Sequence, residues 1–255
     1  MRYYNLHPSI TAFSTTRQGG VSIGNYASFN INHYCGDSPE AVRKNQQLLS
    51  EQLGIAVDRL VYPHQTHQTE VRQITPDFFT LTEEKRQAFL EGVDAVFTDV
   101  IGICIGVSTA DCIPIIIYDP THHAVATVHA GWRGTVARIA EKAVSAMTHT
   151  VGSLPEEMQA VIGPGISLKN FEVGDEVYDA FRDAGFAMDM IAKRFQSKWH
   201  IDLPLCNSMQ LQTCGLQKEK IQITDICTYD NYHDFFSARR LGINSGRIFT
   251  GALLH

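Results

Sequence analysis

From Val100 to Tyr118 the chain is an almost unbroken apolar run, dominated by isoleucine and valine, with a single charge at Asp111. A stretch this long either crosses a membrane or is buried inside a folded core. Gly102, Gly106 and Pro114 interrupt it, and β-branched residues favour strands over a helix. The run therefore predicts two buried strands, Ile103 to Ser108 and Ile113 to Tyr118, around a polar turn that holds Asp111 and Cys112. A chain of 255 residues, 44% of them hydrophobic, can bury both in one sizeable core. One domain spanning residues 1–255 is the expectation.

The formal charge of −6 offers nothing to nucleic acid or to an anionic membrane surface. That directs attention to small-molecule partners. Six cysteines occur, at positions 35, 104, 112, 206, 214 and 227, and none form a C-x-x-C pair. The opening Met1-Arg2-Tyr3-Tyr4-Asn5 has no apolar signal core, so a cytoplasmic location with reduced thiols is expected.

Periodicity and turn chemistry outline the rest. Ile10 to Thr15 alternates as a strand and runs into a turn at Gly19-Gly20. Ser38 and Pro39 start a helix, Val42, Asn45, Leu49 and Leu53 share one of its faces, and Gly54 closes it. Strands are predicted at Leu60 to Tyr62, Glu70 to Ile74, Asp94 to Thr98, Ala124 to His129, Ala160 to Ile162 and Ile221 to Ile226. Helices are predicted over Phe78 to Glu91, from just after Gly134 through Met147, over Gly174 to Ala184, and over Asn207 to Cys214. Strands clustered in this way and joined by both turns and helices indicate an α+β fold with mixed sheets. Neither a dinucleotide-binding G-x-G-x-x-G nor a P-loop is present.

Three residues carry the chemistry. A cysteine in an apolar run is ordinarily core, but Cys112 follows Asp111, a carboxylate that needs a partner or a function in such surroundings. His129 ends an apolar strand and is followed by Ala130-Gly131-Trp132-Arg133-Gly134. His67 lies upstream in Gln65-Thr66-His67, three residues after His64. One thiol and two imidazoles make either a metal site or a cysteine nucleophile with its base. Spacing alone does not separate these, nor His64 from His67. For an anion, the helix start after Gly134, together with Arg133 and either Arg17 or Arg240, offers donors. Arg239 and Arg247 are further candidates, and Arg240 and Arg247 flank a segment near a buried chain end.

Several long motifs, in order, resemble the YfiH family, also called laccase-domain or multicopper polyphenol oxidase-like proteins. They include Thr16-Arg17-Gln18-Gly19-Gly20-Val21-Ser22, Tyr26-Ala27-Ser28-Phe29-Asn30, Asp94-Ala95-Val96-Phe97-Thr98-Asp99 and Thr109-Ala110-Asp111-Cys112-Ile113-Pro114. The stretch His129 to Gly134, Ile162-Gly163-Pro164-Gly165-Ile166, Phe236-Ser237-Ala238-Arg239-Arg240 and Gly246-Arg247 complete the match. The resemblance implies one α+β domain with two mixed β-sheets layered between helices. It implies zinc held by His67, Cys112 and His129, with copper able to replace it in vitro. Family members carry glycine where this chain has Gln68.

The implied activity is phosphorolysis of adenosine, inosine and S-methyl-5′-thioadenosine, with adenosine deamination beside it. Asp111, Cys112 and His129 are the candidate catalytic residues; Arg17, Asn30, Arg133 and Arg240 are the candidates for substrate or phosphate. The implied partners are a purine nucleoside and phosphate, with no nucleic acid or membrane, and a monomer or small homo-oligomer is expected. Two alternatives accompany this reading. One is a cysteine or metal-dependent hydrolase that edits peptidoglycan precursors. The other is a copper-dependent polyphenol oxidase, which the absence of any H-x-H pair among 11 histidines disfavours.

Overall fold

The long apolar run resolves into strands Cys104–Thr109 and Ile113–Asp119, and these lie in different sheets. The computed structural model describes residues Met1–His255. Its first sheet has the strand order Arg2–Tyr4, Ile10–Ser14, Ile248–Leu254, Cys104–Thr109, Leu60–Val61. Its second has the order Ile221–Ile223, Gln159–Ile162, Ile113–Asp119, Ala124–Ala130, Ala95–Thr98, Val71–Gln73. Both are mixed: Leu60–Val61 runs parallel to its neighbour in the first, and the two outermost strands do so in the second. The turn Ala110-Asp111-Cys112 is thus the corner where the chain passes from one sheet to the other.

The sheets face each other across a core that includes Ile105, Ala252 and Leu254 from the first and Val96, Ile116 and Val125 from the second. Helix Pro39–Leu53 covers the outer face of the first sheet through Leu49, packed with Phe13, Tyr62 and Phe249. Helices Ile139–Val151 and Leu203–Thr213 cover the outer face of the second through Ala140, Ala143, Met147 and Leu211. The result is an α+β arrangement of helix, sheet, sheet and helix layers.

Local signals account for many boundaries. Ser38 Oγ accepts from Ala41 N, and Gly54 ends that helix in the left-handed conformation at φ 69°. Other boundaries differ from the expectation. The predicted helix Phe78 to Glu91 divides into a 3₁₀ turn, Pro76–Thr80, and a helix, Glu83–Leu90, capped by the Thr82 side chain. Helix Leu203–Thr213 begins a turn earlier than predicted, because Asp202 accepts from Leu205 N and so caps it there. Gly106 and Pro114 do not break their strands. Gly106 pairs with Gly251, and a Cβ at either would collide with the Phe249 ring. A small antiparallel sheet, Glu172–Val173, Lys198–Ile201 and Ala192–Phe195, was not predicted, because its short strands mix charged with apolar residues without an apolar alternation.

The helix expected just after Gly134 differs most. A short helix, Trp132–Val136, comes first; Arg138 then turns left-handed at φ 65°, and the long helix starts at Ile139. Gly134 is buried inside the short helix, so no open helix start follows it.

Candidate metal centre

His129 and Cys112 are brought together by strand pairing. Ile113–Asp119 and Ala124–Ala130 run antiparallel, with Pro114 opposite His129, so Cys112 precedes one strand as His129 nears the end of the other. His67 comes from the loop before Val71–Gln73 and is itself left-handed, at φ 62°. The ligand atoms of His67, Cys112 and His129 all lie within 4.8 Å of one another. Gly131 makes this approach possible, since a Cβ there would stand 3.1 Å from both Cys112 Sγ and His67 Cδ2.

Asp94 organises the centre. This fully buried carboxylate accepts from His129 Nδ1 at 2.7 Å and from three consecutive main-chain N–H groups, Thr66, His67 and Gln68, at 2.8 to 3.2 Å. One side chain therefore holds both histidine ligands. Burial alone would raise the Asp94 carboxyl, but these donors outweigh it and hold it below the usual carboxylate range. With Nδ1 donating to Asp94, Nε2 is the nitrogen of His129 left to bind a metal, the arrangement common behind histidine ligands.

The thiol is activated by the same neighbours. Burial would raise Cys112, yet His129 and His67 bring it down to about 6. Burial would lower His129, yet Cys112 and Asp94 raise it to about 9. Both shifts favour the charged forms, a thiolate beside an imidazolium. Soft sulfur with two imidazoles suits zinc or copper and leaves positions open for a substrate.

A cavity of about 530 Å³ opens onto the three ligands. Asp111 lines it in a left-handed conformation, φ 87°. Its Oδ1 accepts from Thr228 Oγ1 at 2.7 Å and its Oδ2 from Arg239 N at 2.6 Å. Asp111 thus pins the corner that carries Cys112 against the segment bearing Arg239.

The expected anion donors lie elsewhere. Arg17 donates to Ala27 O and Tyr232 O and lies over Phe236, tying two loops together. Arg133 is exposed and folds over Trp132; Arg240 is exposed over Tyr232. None of the three lines the cavity, and neither does Asn30. Asn30 donates to Asp37 and accepts from Arg247 N, so it supports the cavity's wall from behind. The arginines that do line the cavity are Arg239 and Arg247. Sequence reasoning passed over Asp94, although its signal resembled that of Asp111: a carboxylate leading into a largely apolar strand.

The chain is also similar to known proteins. The family described as multi-copper polyphenol oxidoreductase laccase matches residues 11–255. The chain is 47% identical over 251 residues to a purine nucleoside phosphorylase of Bacteroides thetaiotaomicron, covering 98% of this chain and 93% of that protein. It is 44% identical over 244 residues to adenosine deaminase RL5 of an unknown prokaryotic organism, covering 95% and 93%. Among solved structures, YlmD from Geobacillus stearothermophilus superposes with a TM-score of 0.91 at 28% identity, covering 99% and 94%. YfiH from Bacillus licheniformis does so with a TM-score of 0.88 at 27% identity, covering 96% and 93%. Fold, motif order and these likenesses converge: the chain belongs to the YfiH-like family of laccase-domain proteins.

Proposed function

We propose that the protein is a zinc-dependent purine nucleoside phosphorylase acting on adenosine, inosine and S-methyl-5′-thioadenosine, with adenosine deaminase activity at the same centre. The observation that carries this is the convergence of His67, Cys112 and His129, backed by Asp94, on a cavity that also holds Arg239 and Arg247. The curated relatives named purine nucleoside phosphorylase and adenosine deaminase support the substrate class.

The donor set fits zinc: one lowered thiol, one imidazole with its tautomer set by a carboxylate, and a second imidazole within reach. Bound there, zinc supplies Lewis-acid polarisation. The rest falls to the chain's own residues. Arg239 and Arg247 hold phosphate within the cavity, where fixed guanidinium groups favour an oxyanion. Asp94 orients His129 and His67. Asp111 keeps the Cys112 corner and the Arg239 segment in register. No helix is long and apolar enough to cross a membrane.

The test is incubation of purified protein with adenosine, with and without phosphate, while adenine, ribose 1-phosphate, ammonia and bound zinc are quantified. Phosphate-dependent release of adenine by zinc-loaded protein is expected. A second reading has its own support: a thiolate at about pH 6 beside His129 is what a cysteine hydrolase requires. Full turnover by metal-free protein, lost on alkylation of Cys112 and indifferent to phosphate, would replace the first reading with the second.

A further inference from the structure

His64 is not a member of the metal group, yet it lines the same cavity and is unusually well held. Its Nδ1 lies 2.9 Å from both carboxylate oxygens of Glu91. Its ring stacks on Tyr34 at 4.0 Å between centroids and 16° between planes. Tyr34 in turn leans on His33 at 3.8 Å, and His33 Nδ1 is 2.8 Å from Tyr62 OH. Three rings are therefore braced from both ends, by Glu91 at one and Tyr62 at the other. Tyr34 meets a ring on each side, so it fixes the plane of His64 more than it offers a surface of its own.

The place of this stack along the cavity lining matters. Arg247 N is bound to Asn30, within a loop that continues through Cys35. Tyr34 precedes Cys35 and stacks on His64; His64 leads through Gln65 and Thr66 to His67 and the metal ligands. Tyr34 and His64 thus line one cavity together with Arg247 and with His67, Cys112 and His129. Ser108, whose buried hydroxyl has no partner within the protein, belongs to the same lining. Cations suit phosphate, whereas braced rings with in-plane hydrogen-bonding groups suit the edge of a heterocyclic base.

We infer that His64 is a specificity-determining residue that reads the purine 6-position and favours an amino over an oxo substituent. This rests on the proposed nucleoside chemistry. A neutral imidazole that donates its Nδ1 proton to Glu91 keeps Nε2 as an acceptor. An exocyclic amino group donates to that acceptor; a 6-oxo group opposes it with a second acceptor. Glu91 is the positioning residue, because it selects the tautomer.

The test compares wild type, His64→Ala and Glu91→Gln at pH 8.5, with zinc content and melting temperature measured for each. The ratio of kcat/KM for adenosine to that for inosine is expected to fall by about five- to ten-fold in His64→Ala, roughly one hydrogen bond. Glu91→Gln is expected to move it in the same direction by less, because the ring remains while its tautomer is freed. Equilibrium binding of adenine against hypoxanthine reads the same preference without turnover. An unchanged or rising ratio in folded, zinc-loaded His64→Ala overturns the inference and leaves the proposed activity standing. Wild-type protein that binds adenine preferentially but shows no phosphorolysis overturns the proposed activity instead. Wild-type protein that binds neither base overturns both.

Discussion

Two stretches of one cavity are built in opposite ways. The metal side is assembled at strand ends, where sheet pairing sets Cys112 beside His129 and a single buried carboxylate, Asp94, holds both histidines. The arginine side is assembled from loops. Arg247 donates to carbonyls of its own turn, at Ile243, Ser245 and Gly246, and Arg239 donates to Glu172 O. The first is fixed by long-range sheet register; the second is set by side-chain bonds to main-chain carbonyls, within its own turn for Arg247 and across to Glu172 for Arg239. A metal requires ligand atoms placed to a fraction of an ångström, which strand pairing gives to Cys112 and His129 and the Asp94 bonds give to the His67 loop. An oxyanion is bound through charge at longer range and tolerates a more adaptable wall.

Breaking the metal side has the largest expected effect. Cys112→Ala is predicted to bring zinc to background and phosphorolysis below about one thousandth of wild type, measured by metal analysis beside single-turnover assays. Zinc retained at full occupancy would contradict the ligand set. Asp94→Asn tests whether support behind the ligands matters nearly as much. Loss of the charged acceptor for His129 is predicted to weaken zinc about 10- to 100-fold, read by competition with a chromogenic chelator. Equal affinity in the variant would deny Asp94 its organising part.

The pH response sharpens the same side. In zinc-free protein the Cys112 thiol should alkylate along a titration centred at about pH 6, because the neighbouring histidines favour its thiolate. Zinc uptake should weaken as pH falls below that value and keep strengthening as it rises towards about 9, since the ligand forms are the Cys112 thiolate and the neutral His129. A midpoint in the ordinary thiol range would show that the histidine pairing is absent in solution.

Arginine replacements should do less, and they separate rim from surface. Arg239→Ala keeps the bond from residue 239 N to Asp111, and Arg247→Ala keeps the one to Asn30, because both come from the main chain. Each is therefore predicted to raise KM for phosphate about ten-fold with a smaller change in kcat. Arg133→Ala and Arg240→Ala, outside the cavity, should shift KM for phosphate by less than about two-fold. Steady-state kinetics at varied phosphate distinguishes the pairs, and a large effect at Arg133 would relocate the anion site.

Legibility in the sequence follows the same division. The strand ending near His129, the Ser38 cap, the Gly54 stop and the polar corner at Asp111 all rest on local chemistry that single residues announce. The layered α+β fold and the His67, Cys112 and His129 group came from motifs whose order resembles a family. What stayed hidden depended on distant partners. Arg239 and Arg240 are adjacent and chemically equal, and only tertiary packing turns one toward the cavity. Asp94 looked like the first residue of a strand until three N–H groups from residues 66–68 closed around it.

The strand Ile248–Leu254 lies between Ile10–Ser14 and Cys104–Thr109, so residues near opposite ends of the sequence are neighbours in the middle of one sheet. During synthesis, the second sheet's ligand-bearing strands emerge long before this piece does. The growing chain must carry an unpaired Ile10–Ser14 edge through more than two hundred residues of translation. Contacts of such high sequence separation slow folding and expose a sticky edge meanwhile. Until Ile248–Leu254 arrives, that waiting edge is where another strand could pair in its place.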